Sequence, residues 1–490
     1  MSLLPYTLYR ASEVRELDRI AIEEQGIPGI KLMNRAGTVV FDELCCRWPK
    51  ARRIVVVCGG GNNGGDGYVV ARLAREKGLE VILIALSDPA TLQGDANTAW
   101  GAAHVAGLTT ASFTAERLQD ADVVVDAIFG TGLDREVSGE WAAAINAINA
   151  SGVPVVAVDI PSGLHADTGR VLGTAIVAEV TVTFIGLKCG MLTGQGRDYC
   201  GTILFDDLGL PDAVYQQLPS SLQRFDWPQL KLLLPPRQRT AHKGAFGHVL
   251  IVGGNHGMAG AARLAAEASL RVGSGLTTVA TRPEYVAAMA AARPEVMWRG
   301  VENSADLQPL LQRATVVAIG PGLGQDGWAQ QLLDAVIESK LPLVMDADAL
   351  NFLAQEPLRG EGWILTPHPG EAGRLLHCSA ADINHDRFNA VNQLAQQYGG
   401  VVVLKGAGTL IAADGEVAVC CGGNPGMATA GMGDVLTGVI AGLLAQGLSL
   451  KQAAQCGVAL HAAAADKVAI EGERGMMAGD LITCLRTLVN

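Results

Sequence analysis

The residues of this sequence best suited to chemistry are carboxylates beside glycine turns. Glycine lets backbone N–H groups approach a ligand, and the acid can move a proton or hold a cation. In the first half, Gly59, Gly61 and Gly64 satisfy GxGxxG, with Asp66 just beyond and Asp88 near the end of the next apolar run. The spacing admits a dinucleotide fingerprint, yet five glycines in seven positions meet such patterns easily, and Asp66 stands where an anionic pyrophosphate would sit. Asp66 either caps the following helix or faces a ligand. Asp126 in DAIFGTGL and Asp159 with Ser162 in DIPSGL add acids beside further turns; Asp159 either orients its turn or carries a proton.

The second half lacks the Walker GxxxxGK[ST] and the kinase HRD and DFG sets. Gly431-Met432-Gly433-Asp434 opens an Ala/Leu-rich helix, so backbone N–H groups and the positive helix end would meet an anion with Asp434 beside it as a base. The alternative, a helix-terminal charge worth about 0.3–1 kcal/mol, does not require so glycine-rich an approach. Lys405, followed by Gly406-Ala407-Gly408-Thr409, forms a second turn suited to nucleotide phosphates. His368 in TPHPGE either satisfies its turn or meets a ligand.

These turns need strands to carry them. Val/Ile-rich runs at 53–58, 81–86, 122–129, 153–160 and 180–185 alternate with helical stretches, a rhythm that predicts a parallel sheet covered on both faces. A segment with five prolines between about 206 and 243 breaks the rhythm and predicts a boundary near 225. It restarts at 248–252 and continues through 276–280, 316–319, 343–345, 363–365 and 401–404, before helices at 435–446 and 452–468. The expected fold class is α/β with two domains, 1–225 and 226–490. In an open parallel sheet the strand ends line one crevice, so Asp126 and Asp159 converge there.

NNGGDGYVVARLA, DAIFGTGL and DIPSGL, in that order, resemble the NAD(P)H-hydrate epimerase family over roughly residues 10–210. The resemblance implies a Rossmann-like domain with a phosphate loop at Asn62, Asn63, Gly64, Gly65 and Asp66. It implies further substrate contacts at Gly130, Thr131, Gly132, Leu133, Asp134, Arg135 and Glu136 and at Asp159, the candidate proton carrier. It also implies a potassium ion held by Asn63, Asp126 and Ser162. Such an ion would offset the repulsion between the acids and the substrate phosphates.

From about 225 to 488, Gly257-Met258-Ala259-Gly260-Ala261, IGPGLG, MDADAL, TPHPGE, VLKGAGT and AGMGDVLTG resemble the ADP- or ATP-dependent NAD(P)H-hydrate dehydratases of the ribokinase-like fold. That resemblance places substrate against Ala261, Ala262, Gly324, His368 and Asp434, and nucleotide against Lys405, Gly406, Ala407, Gly408, Thr409 and Gly433. Ala430 stands where the family pattern has glycine. It implies NADHX and NADPHX as substrates and ADP as co-substrate; magnesium is expected on general phosphoryl-transfer grounds. Taken alone, this half also suits a small vitamin or sugar kinase, and the first half a non-catalytic scaffold.

Composition bounds the rest. Of 490 residues, 49% are apolar and 60 are glycine; a net charge of −12 without Lys/Arg runs argues against nucleic acid as partner. No apolar run reaches membrane length, and the first twenty residues do not read as a leader, so a cytoplasmic enzyme, forming a homo-oligomer, is expected. Ten cysteines without CxxC or zinc spacing read as core residues.

Overall fold

A computed structural model describes residues 4–490; the first three residues of the leader reading lie outside the described residues. The chain divides into two compact units, Met1–Gln223 and Arg224–Asn490. Both are α/β units built on a largely parallel sheet.

In the first unit a short strand, β1 (Thr7–Tyr9), precedes β2 (Arg53–Cys58), β3 (Glu80–Ala85), β4 (Thr110–Ala111), β5 (Val123–Ala127), β6 (Val155–Val158), β7 (Val180–Phe184), β8 (Leu187–Lys188) and β9 (Thr202–Asp206). The main sheet runs β4-β3-β2-β5-β6-β7-β9, with every pairing parallel. Strand periodicity puts alternate residues on opposite faces. Ile54, Val56 and Cys58 join one buried layer, and Val55 and Val57 join the other. Each such buried side chain contributes about 1.5–3 kcal/mol. The chain leaves β2 for β3 on one side, while β5 lies on the other with Val57 opposite Asp126. That reversal of strand order opens a crevice beyond the strand ends. Beside it β1 pairs with β8, setting Tyr9 opposite Lys188, and antiparallel to β10 (Leu222–Phe225).

The second unit carries β11 (His248–Val252), β12 (Leu276–Thr281), β13 (Met297–Gly300), β14 (Val316–Ile319), β15 (Leu343–Met345), β16 (Trp363–Leu365), β17 (Val401–Leu404), β18 (Leu410–Ala413) and β19 (Glu416–Cys420). Their order is β13-β12-β11-β14-β15-β16-β17-β18-β19. The pairings are parallel as far as β17, and β18 and β19 follow antiparallel. Strand order again reverses, between β11 and β14. Val249 and Ile251 face a core shared with the helices Ala259–Arg271, Met432–Ala445, Leu450–Ala469 and Ala478–Leu488. Two of these helices cross at glycine. A Cβ on Gly438 would stand 2.0 Å from the Ala265 carbonyl oxygen, and one on Gly442 2.8 Å from that of Ser269.

Candidate functional sites

At the first crevice a cavity of about 600 Å³ opens over the glycine turn that follows β2. Helix Asn62–Glu76 begins inside that turn with Gly61 as its N-cap, so Asp66 is not the cap; it lies in the second turn and lines the cavity. Burial, then the charges of Asp159 and Asp18, hold the Asp66 carboxyl well above the ordinary range. Beneath the wall Asp126 is fully buried. It accepts hydrogen bonds from Ser162 Oγ at 2.6 Å, Ser162 N–H at 2.8 Å and Ile128 N–H at 3.2 Å. Burial pushes it up to about 6 despite these bonds. Among the described residues, neither amide atom of the buried Asn63 has a hydrogen-bond partner. A buried acid and an orphaned amide oxygen at the same crevice suit a hard cation.

Asp159 follows β6 in the left-handed region, φ 66°, a conformation aspartate tolerates better than most residues. Its Oδ1 accepts from Phe184 N–H at 3.2 Å and Thr183 Oγ1 at 3.4 Å and forms an ion pair with Lys188. Lys188 is fully buried and also donates to Thr183 Oγ1 at 2.9 Å and the Phe184 carbonyl at 3.0 Å.

The second site centres on a buried acid of another kind. Asp346, following β15, accepts from Lys405 Nζ at 2.6 Å, Thr366 Oγ1 at 2.9 Å and Thr437 Oγ1 at 3.0 Å. Burial would raise its carboxyl, but the Lys405 charge and these bonds outweigh it and hold it below the usual range. Burial works against the Lys405 charge too, and Asp346 and Glu371 outweigh that. Above the pair, Gly431 takes φ 89° as N-cap of Met432–Ala445, and a Cβ on Gly433 would stand 3.4 Å from both Asp346 and Lys405. Among the described residues, none donates a hydrogen bond to Asp434. Burial and then the Asp346 charge, partly offset by Lys405, raise its carboxyl to about 7.

Most sequence-singled residues converge. Asn62, Asn63, Asp66, Gly130, Thr131, Gly132, Leu133, Asp134, Arg135 and Asp159 line the first cavity, and Gly64, Gly65, Asp126 and Ser162 lie buried near it. Glu136 is exposed and outside the lining, because the chain turns inward at Val137, whose N–H binds the Leu172 carbonyl. In the second unit Lys405, Gly433 and Asp434 meet. Ala261 lies beside Gly322 on the glycine loop that ends at Gly324, whose N–H donates to Asp348. Ala262 is fully buried under Gly254, leaving only Ala261 of that pair reachable. His368 caps helix Pro369–Leu375, its Nδ1 accepting from Gly370 N–H at 2.9 Å and Glu371 N–H at 3.3 Å, while the ring stays half exposed.

Gly406, Ala407, Gly408 and Thr409 form the turn between β17 and β18, and Lys405 points away from it to Asp346. Sequence reading missed Arg387, which is buried and donates to the Leu404, Lys405 and Gly408 carbonyls beneath that turn. It also missed Asp346, Asp18 and Lys188, although Asp346 sits within the quoted MDADAL.

Two α/β units, each with glycine turns and buried acids at the ends of parallel strands, make this a two-domain protein whose C-terminal unit has the ribokinase-like fold. It is similar to an ADP/ATP-dependent NAD(P)H-hydrate dehydratase from Bacillus subtilis, co-crystallised with ATP and Mg2+. That match has TM-score 0.50 and 30% identity over 54% of this chain and 96% of the other. A ribokinase-like superfamily protein from Enterococcus faecalis gives TM-score 0.52 and 33% identity over 55% and 96%. The NAD(P)H-hydrate dehydratase profile matches residues 249–487, and that of the YjeF-related protein N-terminus residues 29–190. Over 99% of its length the chain is 50% identical to the bifunctional NAD(P)H-hydrate repair enzyme of Coxiella burnetii, covering 99% of it. Over the same share it is 45% identical to that of Escherichia coli, covering 95%. The chain belongs to the family of bifunctional NAD(P)H-hydrate repair enzymes. Whole-chain similarity to two-activity enzymes displaces both the small-kinase and the scaffold readings. No helix among the described residues is long and apolar enough to cross a membrane.

Proposed function

We propose that the N-terminal unit interconverts the R and S epimers of NADHX and NADPHX, and that the C-terminal unit dehydrates the S epimer to NADH or NADPH with ADP as phosphoryl donor. The observation that carries the reading is Asp434: a carboxyl without a hydrogen-bond partner among the described residues, at the positive end of a glycine-entered helix, raised to about 7. Hydroxide is a poor leaving group, and transfer of the ADP β-phosphoryl group to the C6 oxygen makes it phosphate. Asp434 takes the hydroxyl proton as oxygen attacks phosphorus and AMP departs. The ring nitrogen lone pair then expels phosphate, and loss of a C5 proton restores the dihydropyridine. N–H groups of the Gly431–Gly433 turn stabilise charge on the transferring group, and Gly406–Thr409 holds the nucleotide.

Among the described residues no group of three or more His, Cys, Asp or Glu side chains could hold a metal ion. Magnesium would enter with the nucleotide phosphates, as is usual for that ion. Potassium, held by Asn63, Asp126 and Ser162 in the N-terminal unit, would neutralise charge near the substrate phosphates. Asp159 carries a proton in epimerisation. We place the enzyme in the cytoplasm as a homo-oligomer without nucleic-acid partner; gel filtration tests the oligomer.

Mixed epimers of NADHX incubated with the purified chain test the two activities together. With ADP and potassium, recovery of reduced-nicotinamide absorbance runs to completion and free phosphate is released. Accumulation of a stable phosphorylated product instead would mark a simple kinase.

A further inference from the structure

The epimerase cavity holds more acid than one cation and one proton carrier require. Asp18, on helix Ala11–Arg19, and Lys188, on β8, both reach its wall. Lys188 spends its ammonium on Asp159, Thr183 and the Phe184 carbonyl, so Asp159 is an ion-paired carboxylate with one oxygen saturated by donors. Asp18 is the opposite case. It is half-buried, and among the described residues none donates a hydrogen bond to it. Burial first, then the negative charge of Asp159, offset in part by Lys188, push its carboxyl up to about 6. Asp66 faces it from helix Asn62–Glu76, and Arg15 lies one turn earlier on its own helix. One cavity thus offers a carboxylate gripped by an ammonium and an acid that no side chain or backbone N–H among the described residues holds, so two groups stand ready to take and to give a proton.

Inversion at C6 of the hydrated ring calls for both. C6 is a hemiaminal carbon, carrying a hydroxyl and bonded to the ring nitrogen N1. When the hydroxyl loses its proton, the C6–N1 bond can break to leave an aldehyde, and the electron pair on N1 must be met by a proton. Rotation about C5–C6 presents the other carbonyl face, N1 adds back, and both protons return. No redox partner or co-substrate is consumed.

We propose that Asp18 is a further catalytic residue, the acid that protonates N1 while Asp159 takes the hydroxyl proton, and that Lys188 is the positioning residue that keeps Asp159 ion-paired. The proposal rests on the epimerase reading. The two acids hold one proton between them before and after ring opening, so the step adds no net charge to a cavity already crowded by Asp66 and Asp95.

The test uses the full-length chain with potassium and without ADP, following each separated epimer as it converts to the other. Asp18→Asn, nearly isosteric, lowers kcat about a hundredfold or more with KM within about threefold. ADP-dependent dehydration of the S epimer on the same preparation is unchanged. The wild-type rate declines as pH rises past the Asp18 titration, and the variant lacks that limb. Added formate restores activity to Asp18→Ala. In water labelled with heavy oxygen, the C6 oxygen remains unlabelled through a turnover.

A folded Asp18→Asn retaining more than about a third of the wild-type rate overturns the assignment. So does a folded Asp18→Ala that formate leaves inactive, and label entering at every turnover overturns the ring-opening step. A wild-type chain that does not interconvert the epimers defeats the epimerase reading itself, a result distinct from these.

Discussion

Each unit buries an aspartate at the end of a central parallel strand and compensates it differently. Asp346 has its cation built in: Lys405 sits 2.6 Å away, with two threonine hydroxyls completing the shell. Among the described residues, Asp126 has backbone and serine donors but no cationic side chain, and the Asn63 amide is unsatisfied. Burying a charge is costly unless it is paired. The C-terminal site therefore meets the cost within the polypeptide, whereas the N-terminal site is suited to an ion drawn from solution. On the proposed reading, one site is fixed at folding and the other would answer to the medium.

The largest expected effect tests the site with the internal cation. Asp434→Asn keeps size but removes the base, so ADP-dependent recovery of NADH falls about a hundredfold or more, while nucleotide binding and epimerisation survive. Because the carboxyl is raised to about 7, wild-type dehydration increases as pH rises through that value, and the variant does not follow. A raised carboxyl in the folded state loses stability as pH rises from the ordinary carboxylate range to about 7, so the variant melts no lower than wild type at pH above that. Near-normal dehydration by the variant would leave the glycine turn as the main source of rate.

Removing one partner of the internal pair comes next. Lys405→Met strands Asp346 and costs the C-terminal unit about 3–5 kcal/mol in urea unfolding, and adding Asp346→Leu to it restores a large part. The Asp346 carboxyl is depressed on folding, so its contribution is present above the ordinary carboxylate range and fades as pH falls through the folded value. A Lys405→Met protein as stable as wild type would remove the contrast between the sites.

Asp126→Ala sharpens the other side. Epimerisation falls by about tenfold or more and loses its response to potassium, with dehydration intact; a potassium titration as steep as wild type would exclude Asp126 from the cation site. The smallest effect is expected from cutting the chain. We propose 1–225 and 226–490 as separable folding units, each melting cooperatively when expressed alone. Two unfolded fragments would show that the cores depend on each other.

The strands that carry the turns were legible because they are buried on both faces and read as unbroken Val/Ile runs, as in Arg53–Cys58 and His248–Val252. The edge strands were not. Thr202–Asp206 and Met297–Gly300 mix polar and apolar residues because only part of each is covered. The hairpin of β18 and β19 did leave a sign, Asp414-Gly415, where both residues take positive φ, the turn chemistry such a connection needs. Helix starts were placed late, since Asn62–Glu76 and Met432–Ala445 begin within the glycine turns themselves.

Of the sites, glycine-flanked acids stood out and their partners did not. Lys188, Arg387 and Asp18 lie in ordinary-looking stretches, and their roles arise from contacts spanning from about twenty to over a hundred positions in the chain. Asp346 was quoted within a motif, but its position as a hub depends on Thr366, Lys405 and Thr437, which no local pattern joins.

The crossing at Gly438 and Gly442 brings backbone against backbone, so the helix bearing Asp434 and the helix bearing Ala261 cannot slide past each other without a clash. Under the proposed reading, a rigid bracket of this kind would discriminate by handedness at C6: it would hold Asp434 against the hydroxyl on one face of the ring and leave no slack for the other epimer. Under the proposed reading, every molecule hydrated on the wrong face would be a dead end for the dehydratase, however long it waited. Carrying an epimerising partner on the same polypeptide would then keep supply and demand in fixed stoichiometry, and turn a strict pocket into a complete salvage route.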